Sequence, residues 1–364
     1  MNTPLDEAYG DLAVEARNYA DPDKVLREVQ RRRSRRARLA AVAAVVALTI
    51  LGFATVIDRP SQLAAPQSSA VPTISPPATA VSLPADAAAG RGTMIYTACP
   101  YGCPTYLVVE GGRQYLLGQQ TAPPPGNLTL SPDGRWLGQP TSTGFAVRDL
   151  LGINIRFALL EPSKEEGMRL SPWAWAADSS RLVLGAHADG KVARYLSLTV
   201  GTGKPSRLEV PAGAEPVGML GSGELLLLDE RSYDQLPLTS VPLQIGRSGR
   251  SVELRLDPPG SKVFADHDHG LSLQVRGDHI FALAYSSTHT SMVKYDVAGR
   301  QLSETTLSDT DAALGPVTDG FAVLSAATTT GKAAQLVVLN GFERQVLATL
   351  PSQALAVLPG GTRH

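Results

Sequence analysis

Two hydrophobic patterns divide the chain. From Leu39 to Ile57 nineteen residues run without a charge, and beyond residue 93 short apolar stretches alternate with polar turns. As a helix rising ~1.5 Å per residue, the first run spans about 28 Å, close to the ~30 Å hydrocarbon thickness of a bilayer. Arg31, Arg32, Arg33, Arg35, Arg36 and Arg38 stand just before it, and Asp58, Arg59 and Pro60 follow. Basic residues mark the cytoplasmic flank of a membrane span. The pattern therefore predicts a single transmembrane helix over 39–57 at the cell membrane, N-terminus cytoplasmic, with everything after it extracytoplasmic. The rival is a cleaved signal peptide, whose apolar core of ~7–15 residues ends at a small-x-small site. Here 38 residues precede a longer run, and no such site sits cleanly at its end.

The second pattern repeats. Six times an apolar strand, a Gly-containing turn and another apolar strand follow one another, which is the hairpin signature. The units are Tyr106 to Leu117, Phe145 to Ala158, Tyr195 to Val210, Val241 to Leu254, Val293 to Leu302 and Leu336 to Leu347. Their turn glycines, at 111, 152, 203, 249, 299 and 341, are spaced 41, 51, 46, 50 and 42 residues apart. A second motif precedes several hairpins, a polar turn between two apolar strands. Its clearest copy is Leu128-Thr129-Leu130-Ser131-Pro132-Asp133-Gly134-Arg135-Trp136-Leu137, and Trp175 to Leu184 is the next. Drifted copies surround Gly221, Gly277 and Asp319. Four strands per ~45 residues make the blade of a β-propeller.

Ser131-Pro132-Asp133-Gly134-Arg135-Trp136, with the hairpin Leu198 to Lys204, resembles the repeats of TolB-type and WD-like propellers. The resemblance covers about 93–358 and implies an all-β domain of six four-stranded blades. The first unit, from Gly92 to Thr97, lacks its outermost preceding strand, and Ala354 to Gly361 aligns with Leu128 to Gly134. The C-terminal strand is therefore expected to complete the first blade and remove two exposed edges.

The division that follows is a cytoplasmic segment (1–38), the membrane helix (39–57), a spacer (58–92) and the propeller (93–364). Residues 60–89 are dense in Pro, Ala, Ser and Thr with one charge, Asp86. Such composition reads as an extended linker. In the cytoplasmic segment Leu5, Tyr9, Leu12, Ala16 and Tyr19 recur at helical spacing. This short amphipathic stripe suits docking to a cytoplasmic protein or to the bilayer surface, or it frays as a tail.

Charge narrows the partners. Residues 1–38 carry nine Lys/Arg against seven Asp/Glu, and 59–364 carry 24 against 26. The outer part has no basic stripe, which excludes nucleic acid as an expected partner.

Candidate chemistry is sparse. Cys99 and Cys103, the only cysteines, lie on the outer side, where a local disulfide is expected. Asp266-His267-Asp268-His269 is the densest ligand-like cluster, and alternate residues of an extended segment share a face. Two ligands do not make a metal site; a third would come from His279 or His289, and the bland alternative is a solvated loop. Gly201-Thr202-Gly203-Lys204 lacks the further Gly and the Ser/Thr of a phosphate loop. No G-x-S-x-G elbow occurs, so no catalytic residue and no cofactor is assigned. Trp136, Trp173 and Trp175 suit either ligand stacking or the space between blades.

The layout resembles single-pass membrane proteins of actinobacterial type that carry a propeller sensor, some of which accompany extracytoplasmic-function sigma factors. The sequence thus points to a membrane-anchored binding or sensing module for a protein, peptide or envelope polymer, coupled through residues 1–30 to a cytoplasmic regulator. A propeller hydrolase or lyase centred on Asp266 to His269 and a passive envelope scaffold are the alternatives.

Overall fold

Each Gly-turn hairpin forms the outer half of a four-stranded antiparallel sheet, and each preceding motif forms the inner half. The structure, a computed structural model, describes residues 71–99, 102–119, 127–142, 144–159, 168–188, 191–229, 240–246, 249–255, 262–263, 265–266, 270–271, 273–285, 290–317, 320–326, 333–341 and 343–360.

Blade 1 contains β1 (Gly92–Thr97), β2 (Pro104–Val109) and β3 (Gln114–Gln119). Blade 2 is β4 (Thr129–Leu130), β5 (Trp136–Thr141), β6 (Gly144–Asp149) and β7 (Ile155–Leu159). Blade 3 follows as β8 (Arg169–Trp175), β9 (Arg181–Ala188), β10 (Lys191–Thr199) and β11 (Lys204–Leu208). Then comes blade 4, with β12 (Ala214–Met219), β13 (Leu225–Asp229), β14 (Ser240–Ile245) and β15 (Arg250–Arg255).

Blade 5 departs from the rule. Its inner strand is broken into β16 (Lys262–Val263) and β19 (Leu273–Arg276), both paired with β20 (His279–Tyr285). Between them sits a small pair, β17 (Ala265–Asp266) with β18 (Gly270–Leu271). The blade is completed by β21 (Thr290–Asp296) and β22 (Gln301–Leu307). Blade 6 is β23 (Asp311–Val317), β24 (Gly320–Ser325), β25 (Ala334–Asn340) and β26 (Glu343–Leu350). The last strand, β27 (Leu355–Val357), returns to pair with β1.

The ring is thus an all-β, six-bladed propeller closed by its C-terminal strand, but one detail of the expectation is corrected. β27 takes the innermost place in blade 1, in the order β27-β1-β2-β3, rather than the outermost. It is the counterpart of β4, and Pro359, just beyond its end, makes a parallel bridge to Leu130 of β4. Inner strands neighbour one another around the axis, β12 lying beside β8 and β19, and β19 beside β23. The outer strands are far more exposed, as along Lys204 to Arg207 of β11.

The period of two decides where the core sits. Alternate residues of a strand point to opposite faces of a blade, so each blade packs both faces on its neighbours. Six apolar clusters result among the described residues, and each belongs to one junction. Leu107 with Leu137 joins blades 1 and 2, Phe145 with Leu184 joins 2 and 3, and Tyr195 with Leu227 joins 3 and 4. Leu243 with Ile280, Phe281 with Phe321, and Tyr96 with Leu336 complete the circuit.

Residues 71–90 depart from the spacer reading. They belong to the same compact unit as the blades, and they run against outer strands of the ring. Leu116 donates its N–H to the Val81 carbonyl at 2.7 Å, and Thr349 donates to Pro72 at 2.9 Å. The reason is that an outer strand leaves a row of backbone groups unpaired, and an extended Pro-rich segment can pair with them.

The expected helix over Leu39–Ile57 and its arginine flank lie outside the described residues. Among the described residues no helix is long and apolar enough to cross a membrane.

Candidate functional site

Antiparallel order gives the ring two ends of different character. At one end lie the tight turns that join inner strand to second strand, and third strand to outer strand. Here the Ser131 to Trp136 motif is a self-satisfied knot. Ser131, fully buried, donates its hydroxyl to the Asp133 carboxylate at 2.6 Å and accepts the Trp136 N–H at 2.8 Å. Gly134 has φ +69°, and a side chain there would collide with the Gly92 carbonyl. That close approach lets the Gly92 N–H reach the Gly134 carbonyl at 2.7 Å.

The same end is laced from blade to blade. Asp133 donates its N–H to the Ser179 hydroxyl of blade 3 at 3.0 Å, and Gly221 donates to Gly277 of blade 5 at 2.9 Å. Arg276 reaches from blade 5 to the carbonyls of Pro316 and Pro359, at 3.0 and 3.1 Å. Within blade 2 Arg135 grips Asp149 with two bonds of 3.0 and 2.6 Å. Burial pushes the Asp149 carboxyl up, but the bonds from Arg135 and the Leu151 N–H, with the charges of Arg135 and Arg156, outweigh it and hold it below the usual carboxylate range.

The opposite end receives the longer connections, among them the one between β1 and β2. There Cys99 and Cys103 form a disulfide, with Cα atoms 5.6 Å apart, and the Thr97 hydroxyl caps the turn by donating to the Cys99 carbonyl at 3.0 Å.

At this end, on the face of blade 3 turned towards blade 4, Ser171 and His187 meet. Ser171 Oγ lies 2.6 Å from His187 Nε2, and both residues are half-buried. The register of β8 on β9 places Ser171 opposite Gly185 and leaves His187 diagonal to it. Gly185 keeps the diagonal open, because a Cβ there would stand 3.2 Å from the imidazole and 3.0 Å from the Trp173 ring. Beneath the pair Trp173 packs edge-on against Tyr195 at 5.2 Å, and Met219 and Leu227 close the cluster from blade 4. Asp229 continues the Leu225–Leu227 series and pairs with Ala214, which packs on this cluster. The Ser171 hydroxyl and the His187 imidazole thus meet on one side of one junction. Burial lowers the His187 pKa below its ordinary value, which keeps the ring neutral near pH 7. In the tautomer protonated at Nδ1, Ser171 donates to Nε2.

The ligand-like cluster is placed in part. Asp266 lies in β17 with its backbone paired to Gly270, while His267, Asp268 and His269 lie outside the described residues. The hairpin leaves the inner strand of blade 5 between the levels of Ala284 and Ala282. His279 starts β20 at the turn end, three residues or about 10 Å along the strand from Ala282. His289 lies outside the described residues. Among the described residues no group of three or more His, Cys, Asp or Glu is arranged to hold a metal ion.

The tryptophans fill blade junctions. Trp173 and Trp175 are each 5% exposed, and their indole N–H groups bridge to neighbouring blades, at the Pro216 carbonyl (2.6 Å) and the Thr129 hydroxyl (2.7 Å). Ser171 and His187 stand sixteen residues apart in no recognisable motif. Only the β8–β9 register joins them.

No family model matches the chain, and no curated protein matches it. Among solved structures it is similar to TolB from Acinetobacter baumannii, at 13% identity and a TM-score of 0.42, over 75% of this chain and 65% of that one. An oligogalacturonate lyase from Vibrio parahaemolyticus gives 13% identity and a TM-score of 0.46, over 73% of this chain and 80% of that one. A prolyl endopeptidase gives 13% and 0.40, over 74% of this chain and 49% of its own. What those proteins bind or cleave remains theirs; the propeller here stands on its own six sheets.

Proposed function

We propose that the chain is a membrane-anchored, extracytoplasmic binding or sensing module whose ligand, a protein, peptide or envelope polymer, engages the loop end of the propeller. The apolar run 39–57 behind its arginines supports the anchor, and the stripe in 1–30 supports a cytoplasmic regulator as the inner partner. One observation carries the choice of end. At the turn end Asp133, Gly221 and Arg276 are bonded to neighbouring blades, whereas the loop end offers the half-buried Ser171–His187 pair.

Crosslinking and pull-down of the full-length protein from membranes tests this reading. A His187→Glu variant is expected to lose an extracytoplasmic partner that an Ile153→Glu variant, altered at the turn end, retains. Deletion of 1–30 is expected to lose only an inner partner. Equal capture by all variants overturns the reading.

A second reading has one observation in its favour. A hydroxyl 2.6 Å from a neutral imidazole is the geometry of a base-assisted nucleophile, which moves the hydrolase alternative from Asp266–His269 to Ser171. A fluorophosphonate probe that labels the wild type and spares Ser171→Ala and His187→Gln would support it. An unlabelled wild type removes it.

A further inference from the structure

The Pro-rich segment before β1 makes contacts that a tether has no need of. It touches three consecutive blades. On blade 6 Thr349 of β26 donates its N–H to Pro72 and accepts from Ile74, at 2.9 and 2.8 Å, with Thr73 alongside in parallel. On blade 1 Leu116 of β3 donates to Val81 at 2.7 Å and accepts from Leu83 at 3.4 Å, the same parallel pattern around Ser82. On blade 2 Arg148 reaches the carbonyls of Pro84 and Ala87, and the Leu150 carbonyl accepts from Ala89 and Gly90 at 2.8 and 3.1 Å.

Side chains reinforce the path. Ile74 packs on the cluster between blades 6 and 1, and Leu83 and the fully buried Ala89 pack on the cluster between blades 1 and 2. Gln114 ties the segment to the blade interior, donating to the Ser75 carbonyl at 3.1 Å while its oxygen accepts the buried Tyr96 hydroxyl at 2.6 Å.

Blade 1 is the one blade assembled from both chain ends, β27 entering on its inner edge. We propose that residues 72–90 form a latch that closes the ring from outside, across the blade that β27 closes from inside. The chemistry suits the task. Prolines 72, 76, 77 and 84 restrict the free segment to extended backbone, so less freedom is lost on docking. The latch also occupies the outer edges of blades 6 and 1, where an extended peptide would otherwise add a strand.

Amide hydrogen exchange on the full-length protein tests the latch. In the wild type the amides of Ile74, Leu83, Ala89 and Leu116 are expected to be protected. Leu83→Pro removes the N–H that the Leu116 carbonyl accepts, and Gln114→Ala cuts the link from Ser75 to Tyr96. Each is expected to speed exchange roughly tenfold at Leu116, and at Ile95 and Val357 across the β1–β27 seam, as local opening spreads. Val81→Ser, on an exposed side chain whose carbonyl is kept, is expected to change nothing. Unprotected Ile74 and Leu83 amides in the wild type would overturn the proposal whatever the variants do. So would acceleration confined to residues 81–84 and Leu116 with the β1–β27 seam unmoved.

Discussion

The turn end and the loop end of the ring are built from the same strands under different constraints. At the turn end short loops bring blade next to blade, and polar groups there bond across the junctions, as Asp133 with Ser179 and Arg276 with two carbonyls. At the loop end Ser171 and His187 are half-buried on the face of blade 3 turned towards blade 4. Among the described residues the blade-to-blade bonds of Asp133, Gly221 and Arg276 lie at the turn end, while loops on a rigid scaffold commonly carry function.

Substitutions can break that contrast. The largest effect is expected from Trp175→Ala, which opens a cavity between blades 2 and 3 and removes the indole N–H donated to the Thr129 hydroxyl. A loss of about 3–5 kcal/mol, read from the denaturant midpoint, would agree; a loss under about 1 kcal/mol would mean that the junction repacks freely. Next, Arg135→Ala leaves the Asp149 carboxylate, 4% exposed, without its cation and should cost roughly 1–3 kcal/mol. The sign of the pH dependence is fixed by the depressed Asp149 pKa. Its contribution is full above the unfolded value of about 3.9 and is lost as pH falls through the lower folded value. Arg135→Ala should flatten the acid limb of a stability–pH curve, and an unchanged limb would count against the pair.

The loop end should respond less. Replacing Cys99 and Cys103 together by Ser opens a five-residue loop and is expected to cost about 2 kcal/mol, seen as a lower Tm that reductant reproduces in the wild type. Ser171→Ala should cost about 1 kcal/mol or less. His187 sharpens the comparison, because burial depresses its folded pKa. Its stabilising contribution is present above the unfolded value of about 6.5 and fades as pH falls from there towards the folded value. His187→Gln should remove that slope, and imidazole titration by NMR at or above 6.5 would contradict the buried, neutral ring.

Legibility differed between fold and site. The hairpins centred on Gly111, Gly203 and Gly341 and the Ser131–Arg135 turn were plain in the sequence because each is local. The split inner strand of blade 5 was not, since β16 and β19 pair with β20 only after an intervening hairpin. The Asp266–His269 cluster drew attention by adjacency, yet adjacency along a chain says little about convergence in space. Ser171 and His187 drew none, because a register rather than a spacing unites them.

By itself the sequence determined the repeat, the number of blades and the use of the C-terminal strand in blade 1. The period of two and the Gly turns act within a few residues and survive being read in one dimension. Only the tertiary structure decided that β27 lies innermost, that residues 71–90 bind blade edges, and that a serine and a histidine meet between blades 3 and 4. Those outcomes depend on which backbone edges are left unpaired once the ring is closed, and no local pattern along the chain records that.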